Sequence, residues 1–347
     1  MRAFLLLLLL LILGFAGGLY ADRVEPSKSW IERHLAPWIE HIAPSRSAAA
    51  LDPVEATPLA LPDGDGQHSA GALAGVGASP CFKRAVSEPE VASPWLQRGR
   101  PEPTVFDRGR LAEAPDLTAH PGLIKIEIIR QPDGSEREHC AAVRVAEHWF
   151  LSAAHCVRDI TIQPPKPLID MIAITPETDV QSETAQAVPI NGAVCHSAYA
   201  MPRRAFLNDV SLLFVSDVSA FADVPVAVLE TDAHDLLPRD MRRTYIAAWG
   251  KNGGTRYLQG SRVSIVHAGE SILVAERIGA RGPNVGDSGA PLYLMYENGP
   301  LVIGVLSQVT QDFEQNGARS LYVRLRTIND WITRTIAICE QNGRFVC

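Results

Sequence analysis

The chain has 347 residues with a formal net charge of −7, and 46% of its residues are apolar, enough for a substantial core in one or two domains. The charge is modest for this length and no dense block of lysine and arginine occurs, which argues against binding to nucleic acid or to an anionic membrane surface. The chain contains neither C-x-x-C nor H-E-x-x-H, two common zinc-binding patterns, so we expect no metal and no organic cofactor.

The N-terminus reads "MRAFLLLLLLLILGFAGGLY", one arginine followed by a long apolar stretch. This arrangement is typical of a secretory signal, so we expect the chain to be exported. Residues 1–20 are either a cleaved signal peptide or a retained signal anchor, because the leucine run approaches membrane-spanning length and no clear A-x-A site follows it. The expected location is therefore secreted, periplasmic, or tethered through residues 3–20 to the outer face of the cytoplasmic membrane.

Residues 21–110 are interpreted as a linker or pro-region rich in proline and alanine. Eleven of the 25 prolines lie between residues 25 and 110, and periodicity there is poor. The exception is "SWIERHLAPWIEHI", residues Ser29 to Ile42, where tryptophan, leucine and isoleucine recur at helical spacing. This stretch either lies on a bilayer or packs on the domain that follows it.

After about residue 115 the pattern changes to short β-rich runs separated by turn signals, which is typical of an all-β barrel or sandwich. Asn298-Gly299 and Asn316-Gly317 supply the positive φ angles that tight hairpins require. At the end, "TINDWITRTIAI" changes to a helical period and predicts a short C-terminal helix.

One stretch, "GPNVGDSGAPLY" from Gly282 to Tyr293, crowds a serine and three glycines together before an apolar run. A serine hydroxyl is a poor nucleophile, so hydrolysis at Ser288 needs a histidine base and a carboxylate to orient it. His155 in "FLSAAHC" and Asp209 in "NDVSLLFV" each adjoin an apolar strand and are the candidates.

With these segments in this order, the region from about 111 to 340 resembles the chymotrypsin-like (trypsin-like) serine proteases. "CAAVRVAEHWFLSAAHC", "NDVSLLFV", "AAWG", "GDSGAP" and "LYVRLRTINDWI" each match a family segment. The resemblance implies an all-β fold of two six-stranded antiparallel β-barrels with a short C-terminal helix, in a protease domain spanning residues 111–347. It also implies peptide-bond hydrolysis through an acyl-enzyme, with a protein or peptide as substrate.

The resemblance further implies a role for each matching residue. Ser288 is expected to be the nucleophile, His155 the general base and then acid, and Asp209 the group that orients the imidazole. The backbone N–H groups of Gly286 and Ser288 are expected to form the oxyanion hole. Ser307 matches the serine that contacts the catalytic aspartate and the substrate backbone.

The specificity pocket is where the chain departs from the family pattern. The pocket base is occupied by Gly282 and not by an aspartate, so a preference for arginine or lysine is not supported. Asn284 replaces a cysteine, which removes a bridge across the pocket wall. Val309 and Ser320 match wall positions, and together they favour a neutral substrate side chain of small to medium size.

Activation by cleavage is a further expectation from the resemblance. In this family a newly freed N-terminus inserts beside the aspartate that precedes the nucleophile, here Asp287. Arg110 in "DRGRLAEA" is the candidate cleavage site and Leu111 the new N-terminus. The chain is therefore expected to be a zymogen.

The resemblance also predicts one disulfide, Cys140–Cys156, closing the loop that carries His155. The other four cysteines, Cys81, Cys195, Cys339 and Cys347, leave three pairings open. In each of them Cys81 ties the pro-region to the protease domain, and in one of them Cys339 and Cys347 close a local loop.

Two other functions remain open on the sequence alone. The chain is either a turnover enzyme or a membrane-tethered binding or sensing protein that uses the same fold, and an esterase is a third alternative.

Overall fold

The structure is a computed structural model, and it describes residues 73–84 and most of 120–341, all within one compact unit that spans Asp63–Cys347. Short gaps in the second range are residues 133, 159, 161–167, 178–179, 181, 183, 201–205, 235, 237–242, 251–257, 279–281, 297–298 and 313–316. The signal or anchor, the Ser29–Ile42 stretch, Arg110, Leu111 and Cys347 lie outside the described residues.

The first sheet has eight antiparallel strands in the order β1-β7-β8-β4-β3-β2-β5-β6. Their bounds are β1 Ala78–Lys83, β2 Leu123–Ile129, β3 Arg137–Ala146, β4 Trp149–Ser152, β5 Asp170–Ile174, β6 Ala187–Pro189, β7 Gly192–His196 and β8 Ser211–Phe214.

Strands β6 and β7 lie near opposite ends of this order, yet only Ile190 and Asn191 separate them along the chain. The chain passes from pairing with β5 directly to pairing with β8, so the two sides of the sheet curl towards each other. The sheet exceeds the six expected strands because one long strand is interrupted here and because β1 is added at the edge of β7.

The second sheet has seven strands, and six of them close into a barrel. Its order is β13-β10-β11-β12-β15-β14-β9, and β13 also pairs with β14. The bounds are β9 Val228–Leu229, β10 Thr244–Ala248, β11 Gln259–Ala268, β12 Ile272–Arg277, β13 Pro291–Tyr296, β14 Gly299–Asp312 and β15 Gly317–Arg324. Short β9 adds to β14 in parallel, outside the closed barrel.

Between residues 120 and 341 the described structure also has two helices and a 3₁₀ turn at Ser219–Phe221, and residues 73–75 are helical as well. The first, α1, is a single turn at Ala154–Val157. The second, α2, runs from Leu325 to Glu340 and buries Ile328, Trp331 and Ile332 against the strands. The predicted all-β class with a C-terminal helix is confirmed.

Strand β2 illustrates why the apolar runs of the sequence are nearly continuous. Ile124, Ile126 and Ile128 face one core, which they share with residues of β3, β4 and β8. Leu123 and Ile129 face a second core, formed mainly by the closed barrel. Because successive side chains of a strand point to opposite faces, a strand buried on both faces carries apolar residues at consecutive positions.

Five cysteines in the described part of the chain are disulfide-bonded. Cys140 is bonded to Cys156, the pair expected from the resemblance, and Cys81 is bonded to Cys195. Cys339 is disulfide-bonded as well. In the part of the chain that the structure describes, no helix is both long and apolar enough to cross a membrane.

Candidate active site

His155 lies on the single turn α1, directly after the buried strand β4. Its neighbours in the turn, Ala154, Cys156 and Val157, are all buried, and the disulfide to Cys140 on β3 holds the turn against the sheet. The His155 side chain is 19% exposed. The local packing therefore fixes the backbone while part of the imidazole stays accessible.

Asp209 lies two residues before the start of β8, and its side chain is completely buried. One carboxylate oxygen accepts a hydrogen bond from the His155 backbone N–H at 2.8 Å. The other accepts from His155 Nδ1 at 2.7 Å and from the Ser307 hydroxyl at 2.6 Å. Because a carboxylate only accepts, Nδ1 carries the imidazole proton and Nε2 remains an acceptor.

The turn before Asp209 uses an unusual backbone conformation. Asn208 has φ of 49°, and it is the one non-glycine residue with positive φ among those the structure describes. Asparagine tolerates this left-handed region better than most residues. The turn directs the Asp209 side chain towards α1, as the paired bonds to His155 show.

The Ser288 loop packs against β3 and β4, the strands that precede His155. Ala141 N–H on β3 donates to the Ser288 carbonyl at 2.8 Å, and Gly289 N–H donates to Leu306 O at 2.8 Å. A Cβ on Gly289, whose φ is 81°, would overlap Ala141 O and Ser152 Oγ. The close approach of backbones therefore requires glycine at this position and brings Ser288 beside the segment leading to His155.

Two amide groups of this loop have no acceptor in the part of the protein that the structure describes. Gly286 has φ of 94°, and among the described residues neither its N–H nor that of Ser288 donates a hydrogen bond to the protein. The amide between them, that of Asp287, does have a partner, Asn284 O at 3.0 Å. Two such amides, one on Ser288 itself and one two residues before it, can bind a negatively charged oxygen.

Asp287 points away from Ser288 into the second barrel, where it is buried. Asn284 N–H donates to its carboxylate at 2.8 Å, and a Cβ on Gly250 would overlap its oxygen atoms. Burial raises the pKa of Asp287 from its ordinary value of 3.8 to about 7, although hydrogen bonds from the Asn284 and Gly250 amides oppose this. A buried acid held only by amides is therefore partly protonated at neutral pH.

The Asp287 side chain borders a small cavity of about 20 Å³. Ile246, Ala248, Gly250, Gln259, Gly260, Ser261, Gly282 and Pro283 form the rest of its lining. A cavity of this size holds about one water-sized group.

The residues predicted to form the specificity pocket are distributed over this region. Val309 and Ser320 are cross-strand partners on β14 and β15, and the buried Ser320 hydroxyl donates to Ala275 O at 3.3 Å. Gly282 lies against the aliphatic part of Arg277 and shares the small cavity with Asp287. Ser307 is the predicted pocket residue that joins the His155 and Asp209 cluster directly.

Comparison with known proteins agrees with this arrangement. A family model described as Trypsin matches residues 118–332, more than half of the chain. The chain belongs to the trypsin family.

Individual trypsin-family relatives are distant. Chymotrypsin-like elastase family member 3A of Homo sapiens is 24% identical over 257 residues, covering 68% of this chain and 92% of that protein. Collagenase of Hypoderma lineatum is 24% identical over 216 residues, 58% of this chain and 78% of the relative. Tissue-type plasminogen activator of Bos taurus is 23% identical over 246 residues, 62% of this chain but only 42% of the relative.

One aromatic contact with His155 was not predicted from the sequence. The Phe206 ring stacks on the His155 imidazole, with centroids 5.1 Å apart and planes 7° from parallel. Tyr199 in turn packs against Phe206 with centroids 5.8 Å apart. The only signal for Phe206 in the sequence is an aromatic residue shortly before Asp209, which does not predict stacking on a particular histidine.

One group of potential metal ligands occurs at the same place. A ring nitrogen of His155 and the sulfur atoms of Cys140 and Cys156 lie within 4.8 Å of one another. The two sulfurs are bonded to each other, so neither is the thiolate that a metal site needs.

Proposed function

We propose that the protein is an exported serine endopeptidase that hydrolyses peptide bonds through Ser288, His155 and Asp209. Membership of the trypsin family supports a hydrolase acting on proteins or peptides. The observation that carries the proposal is the pairing of the buried Asp209 carboxylate with His155 Nδ1, because it leaves Nε2 as the nitrogen able to act as a base.

In the proposed mechanism, the Ser288 hydroxyl oxygen attacks the scissile carbonyl carbon while His155 Nε2 takes its proton. The resulting tetrahedral intermediate collapses as Nε2 returns the proton to the leaving amine nitrogen, which leaves an acyl-enzyme ester. Water then attacks the ester with the same base, and Ser288 regains its proton. Asp209 stabilises the imidazolium formed in each half of the cycle.

The unpaired Gly286 and Ser288 amides are suited to the oxyanion of both intermediates. They are backbone donors with no protein acceptor among the described residues, so binding the oxyanion costs no competing hydrogen bond. Losing one such donor typically reduces the rate by about 10²–10³.

The proposed substrate side chain is neutral and of small to medium size. Gly282 offers no carboxylate to pair with a lysine or arginine, and Val309 and Ser320 supply an apolar and a neutral polar position on neighbouring strands. The Asp287 carboxylate is occupied by two backbone amides and is not available to the substrate.

We also propose activation by cleavage after Arg110. Asp287 is a buried carboxylate beside a cavity large enough for about one small group, and burial raises its pKa to about 7. The ammonium group of Leu111, freed by the cut, would supply that cation and would reorganise the adjoining Gly286–Ser288 loop. N-terminal sequencing of the active form is expected to read from Leu111, and an active chain that still carries residues 85–110 would contradict this proposal.

Export is proposed on two grounds. The N-terminal arginine and apolar stretch are typical of a secretory signal, and the disulfides fit an oxidising compartment. Whether residues 1–20 are removed or kept as an anchor decides between a secreted or periplasmic and a membrane-tethered enzyme.

A fluorophosphonate probe tests the catalytic proposal, because it reacts with an activated serine. We expect the probe to label the full-length chain after limited proteolysis, and Ser288→Ala to abolish labelling. Ser216→Ala, which changes an exposed serine after β8, is the matched control and should label normally. No labelling of the wild type before or after proteolysis would favour a binding protein, and hydrolysis of esters without peptides would favour an esterase.

A further inference from the structure

Residues 73–84 lie far upstream of the predicted protease domain, yet they are built into its first sheet. Strand β1 pairs with β7 over Ala78–His196 to Lys83–Gly192, with one bulge between Pro80 and Phe82. The disulfide Cys81–Cys195 crosses the same two strands. The segment is therefore held by backbone pairing and by a covalent bond at its centre.

Both ends of the segment are also attached to the domain. At the first end, the Gly77 carbonyl accepts from the Ser197 amide at 2.7 Å and from the Trp331 indole N–H on α2 at 3.2 Å. At the second end, the Arg84 amide donates to Asn191 O at 2.9 Å, and its guanidinium forms an ion pair with buried Asp170 on β5.

Side-chain burial also indicates that residues 73–84 are part of the domain. Leu73 is completely buried and belongs to the core that includes Trp149, Val194 and Trp331. Ala78 belongs to the same core. A detachable propeptide would not be expected to contribute fully buried side chains to the core of the domain it leaves.

The strand also covers the edge of the sheet next to the candidate active site. Cys195 on β7 pairs with Ser211 on β8, and Ser211 follows Asp209 by two residues. Without β1, the outer edge of β7 would be open to solvent or to another strand.

We propose that residues 73–84 are a permanent strand of the protease unit, so that any cut between Arg84 and His120 yields a two-chain molecule joined by Cys81–Cys195. Hydrolysis of one peptide bond adds one water and leaves the disulfide unchanged. Whatever precedes Leu73 in the exported chain stays attached to the active protease, including any membrane anchor. The retained strand does not depend on the proposed function, whereas a natural cut, export and activity of the product do.

The test uses the full-length chain with Ser288→Ala, so that it depends neither on catalysis nor on the natural cleavage site. A recognition sequence for a site-specific protease is inserted between residues 90 and 100, and the folded protein is cut there. We expect one band of full mass on a denaturing gel without reductant and two fragments with it. Two fragments without reductant would overturn the proposal.

The matched variant carries Cys81→Ser and Cys195→Ser in the same background. After the cut, its fragments should separate on a denaturing gel without reductant but co-elute on a sizing column under native conditions, because β1, Leu73 and Arg84 remain bound. Separation under native conditions would overturn the claim that the strand is permanent. If this variant does not fold, reduction of the cut parent under native conditions gives the same comparison.

The two proposals fail in different ways. An enzyme that never reacts with the fluorophosphonate probe but stays joined after the cut would contradict the catalytic proposal alone. An enzyme that reacts normally but releases its N-terminal fragment without reductant would contradict the retained strand alone.

Discussion

Gly289 is the residue at which the nucleophile loop and the first sheet come closest. Its positive φ and the absence of a side chain let the loop lie on Ala141 O and Ser152 Oγ, while its own amide donates to Leu306 O. The three contacts join β3, β4 and β14 at one point. The position of Ser288 relative to His155 therefore depends on this glycine.

Gly289→Ala is expected to destabilise the fold by more than about 2 kcal/mol, because the new Cβ meets backbone and a buried hydroxyl and φ is unfavourable. The new Cβ should also displace the loop that carries Ser288, and this displacement should abolish fluorophosphonate labelling. Gly75→Ala is the control, since nothing lies within 4 Å of a Cβ there and its φ is not positive. Urea unfolding measures both variants, and equal midpoints would contradict the expectation.

At the scale of elements, the junction of β15 and α2 depends on a buried ion pair. Arg324, the last residue of β15, pairs with Glu230, whose side chain is completely buried, and also donates to Gly269 O at 3.0 Å. Two residues later, Arg326 pairs with Asp232, but these side chains are 42% and 86% exposed. Similar pairs therefore occur in very different surroundings.

Arg324→Met is expected to cost about 3–5 kcal/mol of unfolding free energy, because it leaves the Glu230 carboxylate buried without a partner. Arg326→Met should cost less than about 1 kcal/mol, because water screens an exposed pair. The double variant Arg324→Met with Glu230→Leu should recover most of the loss. Similar urea midpoints for the two single variants would show that the buried pair contributes no more to the free energy of unfolding than the exposed pair.

At the scale of the whole molecule, the uncut chain buries one carboxylic acid, Asp287, whose pKa differs between the folded and unfolded states. The unfolded chain releases the Asp287 proton near pH 3.8, whereas the folded chain holds it to about pH 7. Between these values the folded state binds more protons, so the free energy of unfolding falls as the pH rises, and it levels off above pH 7. The effect amounts to a few kcal/mol.

The thermal unfolding midpoint of uncut Ser288→Ala is therefore expected to fall between about pH 5 and pH 7 through this group. Asp287→Asn should reduce the slope, while Asn at the exposed Asp223 should leave it unchanged. Cleavage after Arg110 should also flatten the slope, because an adjacent ammonium group lowers the pKa of Asp287. A precursor with the same pH profile as Asp287→Asn would contradict this account.

Local sequence was informative wherever chemistry depends on neighbours along the chain. The candidate nucleophile, base and carboxylate were each recognisable from a few flanking residues, and the structure brings His155 and Asp209 into direct contact. The C-terminal helix was expected over Thr327–Ile338 and extends from Leu325 to Glu340. Strand alternation and glycine placement carry such information because they reflect backbone geometry over a few residues.

Strand β1 could not be predicted from local sequence. "ASPCFK" lies in a proline-rich region and has no clear alternation, and its proline occupies a bulge at the sheet edge. Its partner Cys195 is 114 residues away. The residue boundaries of the signal, pro-region and protease domain remain a prediction, but residues 73–84 belong structurally with the protease domain.

The sequence by itself determined the family and the β class, and it predicts the residues suited to acyl transfer, because each depends on short motifs in a fixed order. Only the tertiary structure decided that Cys81 pairs with Cys195, that Phe206 stacks on His155 and that Asp287 is buried, which raises its pKa. These depend on distances and desolvation between segments remote in the chain, which no local pattern specifies.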